Sequence, residues 1–495
     1  MELLSDVAFL SRLQFTLIVA FHFVFVPLSI GIGLITALAQ TRYYKSGAAE
    51  DERAAWFWVK VFTTTFAVGV ASGIAMEFSF GTNWADYSRF VGDIFGAPLA
   101  AEALFAFFLE SVFLGVLLFG RGRVGKKFYM VSSWLVWFGS CLSALWILIA
   151  NSWMQTPAGA ELSADGSRAV LTDFFAAAFN PTTGLRYFHV ITAALVMGGL
   201  VAVSVAAYQY LKGKNLNFAK RTLKTGAIVT LVATCALFIS AHSTAVGVWN
   251  EQPTKLAAME GQYEDEAAPL YLFGWVDESN EKVLGLGIPG FTSILATGSP
   301  DTVYPGLNTL AETSEYGELD PGQLPVNAIF QVYHFMVAIS GVLALFLVLV
   351  LVALKRDTFG KWKWLQKLMI IAPVFPLLAI EAGWFTAELG RQPWVVYPSA
   401  NAPGVELLTN EAYSHSVTVP EMWITIILFC AIYALLFVAW VRIVLGLVKK
   451  GPEPSEGESA GNAGSADAAG RSTKVETAVQ AAAGVPATAS AEGGE

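Results

Sequence analysis

Four of the five histidines in this 495-residue chain, His22, His189, His242 and His334, fall in or at the end of long apolar stretches. Glu77, Glu102, Glu110, Glu381 and Glu388 share those stretches, and Met336 lies two residues past His334. A charge at the centre of a bilayer costs at least ~2.5–3.5 kcal/mol, so an ionisable group there is a candidate for function. Imidazole and thioether are axial ligands of haem iron, and a His/Met pair raises its potential. A carboxylate is a rarer, harder ligand, suited to an iron with an open position. Each residue also has a plainer reading. A lone intramembrane His packs or hydrogen-bonds within a helix bundle, and a Met fills gaps in a core. Residue type alone leaves both readings open.

The surrounding chain explains why these groups are so few. Hydrophobic residues make up 55% of it and charged residues 14%, with a mean hydropathy of +0.55. Soluble domains carry about 25% charged residues. The composition therefore excludes an ordinary water-soluble enzyme. A net charge of −9 without a long basic block excludes a nucleic-acid binder. Cys141, Cys235 and Cys430 are far apart in apolar surroundings. That excludes a CxxC redox pair, a cysteine zinc site and covalent haem attachment, and leaves three small buried hydrophobes.

A spanning helix needs roughly 20 mainly apolar residues. Nine stretches qualify, at about 13–41, 54–78, 96–119, 127–151, 186–211, 219–248, 326–353, 367–388 and 419–448. The first is too long for a cleaved signal and lacks a basic lead, and residues 1–10 read as an interfacial lead-in. Alternate loops and span ends hold 23 of the 30 Lys and Arg residues. The positive-inside rule then places the N-terminus outside and the C-terminus inside. The expected fold is an all-α polytopic membrane protein. Residues 1–248 form six spans, 249–325 an outside loop, 326–448 three more spans and 449–495 a disordered inside tail. The loop has 13 acidic residues against two lysines. Its aromatic residues, Trp249, Tyr263, Tyr271, Phe273, Trp275 and Phe291, suggest that it packs.

In this topology His22, His189, Met336 and Glu381 gather in the outer leaflet, four ligand types for iron at similar depth. Glu102 and Glu110 are eight residues apart on the third span, about 12 Å along its axis. Unpaired by any base in their own span, they form either a stepping path for protons or hydrogen bonds to Ser111, Ser140 and Ser143. No internal repeat is evident, which counts against a secondary transporter.

At this point the residues resemble a family. SRLQF (11–15), FHFVFVPLSIG (21–31), MEFSFGTNW (76–84) and VGDIFGAPLAAE (91–102) look like the large haem-bearing subunit of cytochrome bd quinol oxidases. The likeness continues in FFLES (107–111), LSALWILIANSWMQTP (142–157), EQPTKLAAME (251–260) and EAGWFTAELGRQPW (381–394), and spans residues 5–448. It implies three non-covalent haems, b558, b595 and d. His189 and Met336 map onto the ligands of haem b558; His22 and Glu381 map onto those of the two high-spin haems, with their division between b595 and d open. Lys255 and Glu260 fall on residues implicated in quinol oxidation, with the 249–325 loop as a short quinol-binding loop. Glu102 and Glu110 fall on residues thought to carry protons from inside, and Arg391 lies near haem propionates, with Arg12 and Lys60 as weaker correspondences. Two departures stand out. His334 occupies a position where some members have Arg, and Leu377 one where some have an aromatic.

The resemblance implies a bacterial plasma-membrane quinol:O2 oxidoreductase that builds a proton motive force without pumping. It implies a second large membrane subunit (subunit II) and in some members a small single-span one. Menaquinol and ubiquinol are both compatible with the residues, as are d-type and b-type haem at the O2 site.

Overall fold

The computed structural model describes residues 2–313 and 324–453; part of the long loop and nearly all of the expected tail lie outside the described residues. The helices are α1 (Val7–Ser46), α2 (Ala49–Thr82), α3 (Ala85–Ala101), α4 (Phe108–Phe119), α5 (Lys126–Gln155) and α6 (Phe174–Ala178). They continue with α7 (Thr183–Lys212), α8 (Leu216–Glu251), α9 (Pro253–Glu260), α10 (Phe291–Thr297) and α11 (Leu307–Thr313). The remainder are α12 (Val326–Lys355), α13 (Lys363–Ile371), α14 (Val374–Leu389), α15 (Thr409–Ala412) and α16 (Val419–Lys450). Among the described residues nine helical segments are long and apolar enough to cross a membrane, as the hydropathy predicts.

The segments run past their apolar cores into polar sequence, and those starting at Val7 and Val419 begin on a capping side chain. The first helix starts at Val7, not near residue 13, since Asp6 accepts from the Ala8 and Phe9 amides at 3.1 and 3.4 Å. The third span runs Ala85–Phe119 and is interrupted. Pro98 lacks the N–H that would continue the ladder, and a π-helical turn follows over Glu102–Phe107 before α4 resumes. The eighth span is broken at Ala372 and Pro373, between α13 and α14.

Four two-stranded ladders decorate the connections: β1 (Ala160–Leu162) with β2 (Ala169–Leu171), and β3 (Glu266–Ala267) with β6 (Val303–Tyr304). The others are β4 (Leu270–Asp277) with β5 (Lys282–Ile288), and β7 (Trp394–Val396) with β8 (Leu407–Leu408). The described part of the long loop does pack. Tyr304 stacks on Trp249 with centroids 4.0 Å apart, and its hydroxyl donates to the Trp249 carbonyl. Two of its aromatics do not: Phe273 and Trp275 point outward. Of the cysteines only Cys141 is buried; Cys235 and Cys430 face out from their spans, because an outward face of a spanning helix is as apolar in sequence as an inward one.

Candidate functional site

One cavity of about 1160 Å³ runs through the bundle, above the ~300–1,000 Å³ usual for a small-molecule cleft. His22, His189 and Met336 line it together with Arg12, Arg186, Lys255, Glu388 and Arg391. Three helices, α1, α7 and α12, bring the first three groups to one region. His189 is six residues into α7 and Met336 ten into α12, about 9 and 15 Å from those helix starts, while Glu381 is eight residues before the end of the oppositely running α14.

The two histidines are oriented by the same device. Ser72 Oγ lies 2.9 Å from His22 Nδ1, and its only proton goes to the Val68 or Gly69 carbonyl at 2.9 and 3.0 Å. The serine must therefore accept from Nδ1–H, which leaves the Nε2 lone pair free. Ser240 treats His189 alike: it donates to the Leu237 carbonyl at 2.9 Å and lies 3.4 Å from His189 Nδ1. Space is cleared as well. A Cβ at residue 73 would sit 3.0 Å from the His22 ring, and one at residue 383 would sit 2.9 Å from Met336 Sδ. Glycine at both positions lets the ligand-type groups lie where they do.

Glu381 does not line the cavity, although Ile380, Gly383 and Trp384 beside it do. Both of its carboxylate oxygens are buried without a hydrogen-bond partner among the described residues, whereas Glu388 pairs with Arg391. A buried carboxylate with no donor and no cation beside it has the character of a metal ligand. Arg391 keeps Nε and Nη1 unpartnered and Arg186 keeps Nε, each a buried donor without an acceptor among the described residues. Two imidazoles with free Nε2, a thioether, an orphaned carboxylate and orphaned guanidinium donors match iron ligands and propionate partners. The residues present fit haem.

The sequence motif joins Lys255 and Glu260, but α9 separates them. Five residues at about 100° each put them about 140° apart around the helix. Lys255 Nζ donates to Gln155 Oε1 and, at 2.9 Å, to Gln252 Oε1. Burial, with Arg186 and Arg391 nearby, pushes this ammonium well below its usual value, against Glu388. Gln252 in turn donates to the Gln155 carbonyl at 3.1 Å, and Asn151 donates to Glu388 at 3.1 Å. The sequence reading missed Gln155, Gln252 and Arg186, since single polar residues near span ends carry no signal of their own.

Glu260 points the other way. It is 1% exposed and does not line the cavity; Thr292 and Tyr333, which do, stand beside its carboxylate. The single Thr292 Oγ1 proton is shared between the Pro269 carbonyl at 2.9 Å and Oε1 at 3.2 Å, and Oε2 faces His334 Nε2 across 3.8 Å. The His334 Nδ1–H donates to the Phe330 carbonyl at 2.9 Å, so Nε2 is an acceptor. Burial pushes the Glu260 carboxyl up to about 8, opposed by the hydrogen bonds of Thr292 and Tyr333. Gly261, at φ +66°, ends α9 immediately after Glu260 and admits Val276 and Val283 against it.

Glu102 and Glu110 lie apart from this cavity, on the third span. Glu102 opens the π-helical turn and accepts from Ser143 Oγ at 2.6 Å. Glu110 is 5% exposed and packs on Gly139, where a Cβ would meet its Cγ at 2.6 Å. Ser111 spends its proton on the Phe107 carbonyl at 2.8 Å, whereas Ser140, 3.3 Å from the Val136 carbonyl, also stands within hydrogen-bonding reach of Glu110. Lys60 takes no part in the cavity; it pairs with Glu453 at 2.7 Å. His242 stands exposed on α8 where that helix lines the cavity.

Comparisons with known proteins give the family. The chain is 39% identical over 449 residues to cytochrome bd ubiquinol oxidase subunit 1 of Bacillus subtilis, covering 90% of this chain and 94% of that one. It is 34% identical over 513 residues to cytochrome bd-II ubiquinol oxidase subunit 1 of Escherichia coli, covering 92% and 98%. The solved structure of bd oxidase from Geobacillus thermodenitrificans matches with a TM-score of 0.78 at 28% identity, covering 90% of this chain and 99% of that one. The family model for cytochrome bd terminal oxidase subunit I matches residues 10–452, and the chain belongs to that family.

Proposed function

We propose that this chain binds quinol at the end of the cavity bordered by α9, α10 and α12, and reduces O2 to water at the end bordered by α1. It is a multi-pass protein of the bacterial plasma membrane and a quinol:O2 oxidoreductase. The observation that carries the reading is the single cavity: ligand-type groups and the hydroxyls fronting Glu260 open onto the same space. His189 and Met336 would hold haem b558, and His22 and Glu381 the high-spin haems b595 and d, with Arg391 and Arg186 taking propionates. When bound, these groups supply one-electron transfer and an iron that binds O2.

The protein's own work is to move protons. Quinol releases two protons as it loses two electrons. Glu260 accepts from the cavity side, and because it is sealed off, the proton passes through the Tyr333 or Thr292 hydroxyl. Lys255, held by Gln155 and Gln252, offers its remaining bonding capacity to a quinol oxygen or a propionate. Glu110 and Glu102 bring protons for water formation from the other face of the membrane. With the N-terminus outside, quinol protons leave outside and consumed protons enter from inside. The reaction is then electrogenic without a pump. The relatives are named as subunit 1, so a second large subunit is the expected partner, with a small single-span subunit as a further one.

The test is the purified complex in sealed vesicles. Reduced-minus-oxidised spectra should contain b-type and d-type bands, and quinol addition should drive O2 uptake and a membrane potential together. O2 uptake without a potential would refute the topology, and absence of haem bands would refute the ligand set.

A further inference from the structure

The hairpin β4–β5 has two apolar faces, and only one is covered. Its ladder pairs Phe273 with Leu286, Trp275 with Leu284 and Val276 with Val283. Val276 and Val283 close on Gly261, and Gly274 on Phe330. On the opposite face Phe273 is 64% exposed, Trp275 60%, Leu284 64% and Leu286 53%. An antiparallel sheet with one face in water alternates apolar with polar residues. Here large apolar residues occupy the outer face, and an exposed apolar ladder in water is an aggregation hazard. The face is not built for water.

Its position says what it is built for. The Val276 amide donates to Asn327 Oδ1 at 3.0 Å, and Gln331 Nε2 donates to the Gly274 carbonyl at 2.7 Å. Further back along the strand, the Tyr271 ring lies 6.3 Å from that of His334. Moving from Val276 to Tyr271 thus descends α12 by two turns. That helix has 30 residues, about 45 Å, against ~30 Å of hydrocarbon. Measured from its Lys355 end, about 20 residues fill the hydrocarbon, whose boundary then falls near His334. The foot of the hairpin is at that boundary and its tip is beyond it.

Polarity changes along the same axis. The tip, Asp277 to Lys282, reads DESNEK. Towards the foot the outer face turns to Trp275 and Leu284, then Phe273 and Leu286, then Ile288. Exposed Phe335, which does not line the cavity, continues it down α12. We propose that the outer face of this hairpin, Phe273, Trp275, Leu284 and Leu286, is seated in the headgroup–acyl boundary of the bilayer as a membrane anchor. A lipid boundary imposes a gradient along the membrane normal, aromatic residues included; a water-soluble protein partner imposes no such axis. The covered face touches Gly261 and Phe330, so the hairpin braces the Glu260 end of the cavity against the membrane.

The test uses the complete oxidase in lipid nanodiscs, with Cys235→Ser and Cys430→Ser removing the exposed thiols. An environment-sensitive NBD label is placed at Leu286→Cys, in a second variant at Leu284→Cys, and in a control at Asn280→Cys. Quenching by doxyl-labelled phosphatidylcholine is compared with quenching by aqueous iodide. The labels at 286 and 284 should be quenched severalfold more by the lipid, and the label at 280 by iodide. Iodide-dominated quenching at both 286 and 284 would overturn the proposal in favour of water. Protection from both quenchers would overturn it in favour of a covering protein.

Discussion

If Glu260 accepts the quinol proton, its elevated pKa sets the pH dependence of turnover. An ordinary carboxylate is ionised throughout the range from pH 6 upward, and the rate would be flat there. With the group at about 8, the base form is about a tenth of the total at pH 7, half at pH 8 and nine-tenths at pH 9. The base form is therefore lost as pH falls through 8, and kcat/KM for quinol should climb about tenfold between pH 7 and pH 9. Thr292→Val sharpens the test. It removes the hydrogen bond to Oε1, which favours the ionised form. A hydrogen bond to a charged group contributes ~1.5–3 kcal/mol and a pH unit is about 1.4 kcal/mol, so the limb should move up by about one unit. His334, Tyr333 and Tyr271 face the same carboxylate and remain in place. The assay is O2 uptake with a short-chain quinol, paired with tetramethyl-p-phenylenediamine, which gives an electron without a proton. A limb that survives Glu260→Gln, or stays unmoved in Thr292→Val, refutes the assignment.

Tyr333→Phe should lower quinol kcat at least tenfold, within the ~10²–10⁴ range of general acid–base catalysis, while KM and the proton-free donor rate change little; an unchanged kcat would leave Thr292 as the route. Met336→Leu should abolish the low-spin haem band in reduced-minus-oxidised spectra and spare the high-spin ones, and a normal low-spin signal would remove Met336 from the ligand set. Gly383→Ala keeps every ligand but puts a methyl 2.9 Å from the Met336 sulfur, so the low-spin band should shift or broaden without vanishing; an unaltered band would mean that the thioether is free to move aside.

The spans and the ionisable iron-ligand candidates were legible in the sequence for one reason, while the uncharged Met336 was marked only by its depth and by the family resemblance. Hydrocarbon makes ionisable residues expensive, so the few that persist stand out against a uniform apolar background. That contrast fails at the membrane boundary, where polar residues are ordinary. Gln155, Gln252 and Arg186 hold Lys255 and its neighbours, yet each is a polar residue near a span end and nothing marks it until the fold brings three helices together. The separation of Lys255 from Glu260 is a different matter. A spacing of five on a helix already puts two side chains on different faces, and only the habit of reading a short motif as one site hides it. The hairpin was obscured for the opposite reason. Aromatic residues in a loop suggest a packed core, and Tyr304 on Trp249 obeys that expectation while Phe273 and Trp275 do not. Apolarity in sequence says that a side chain avoids water; whether protein or lipid receives it is decided only by where the strand lies along α12.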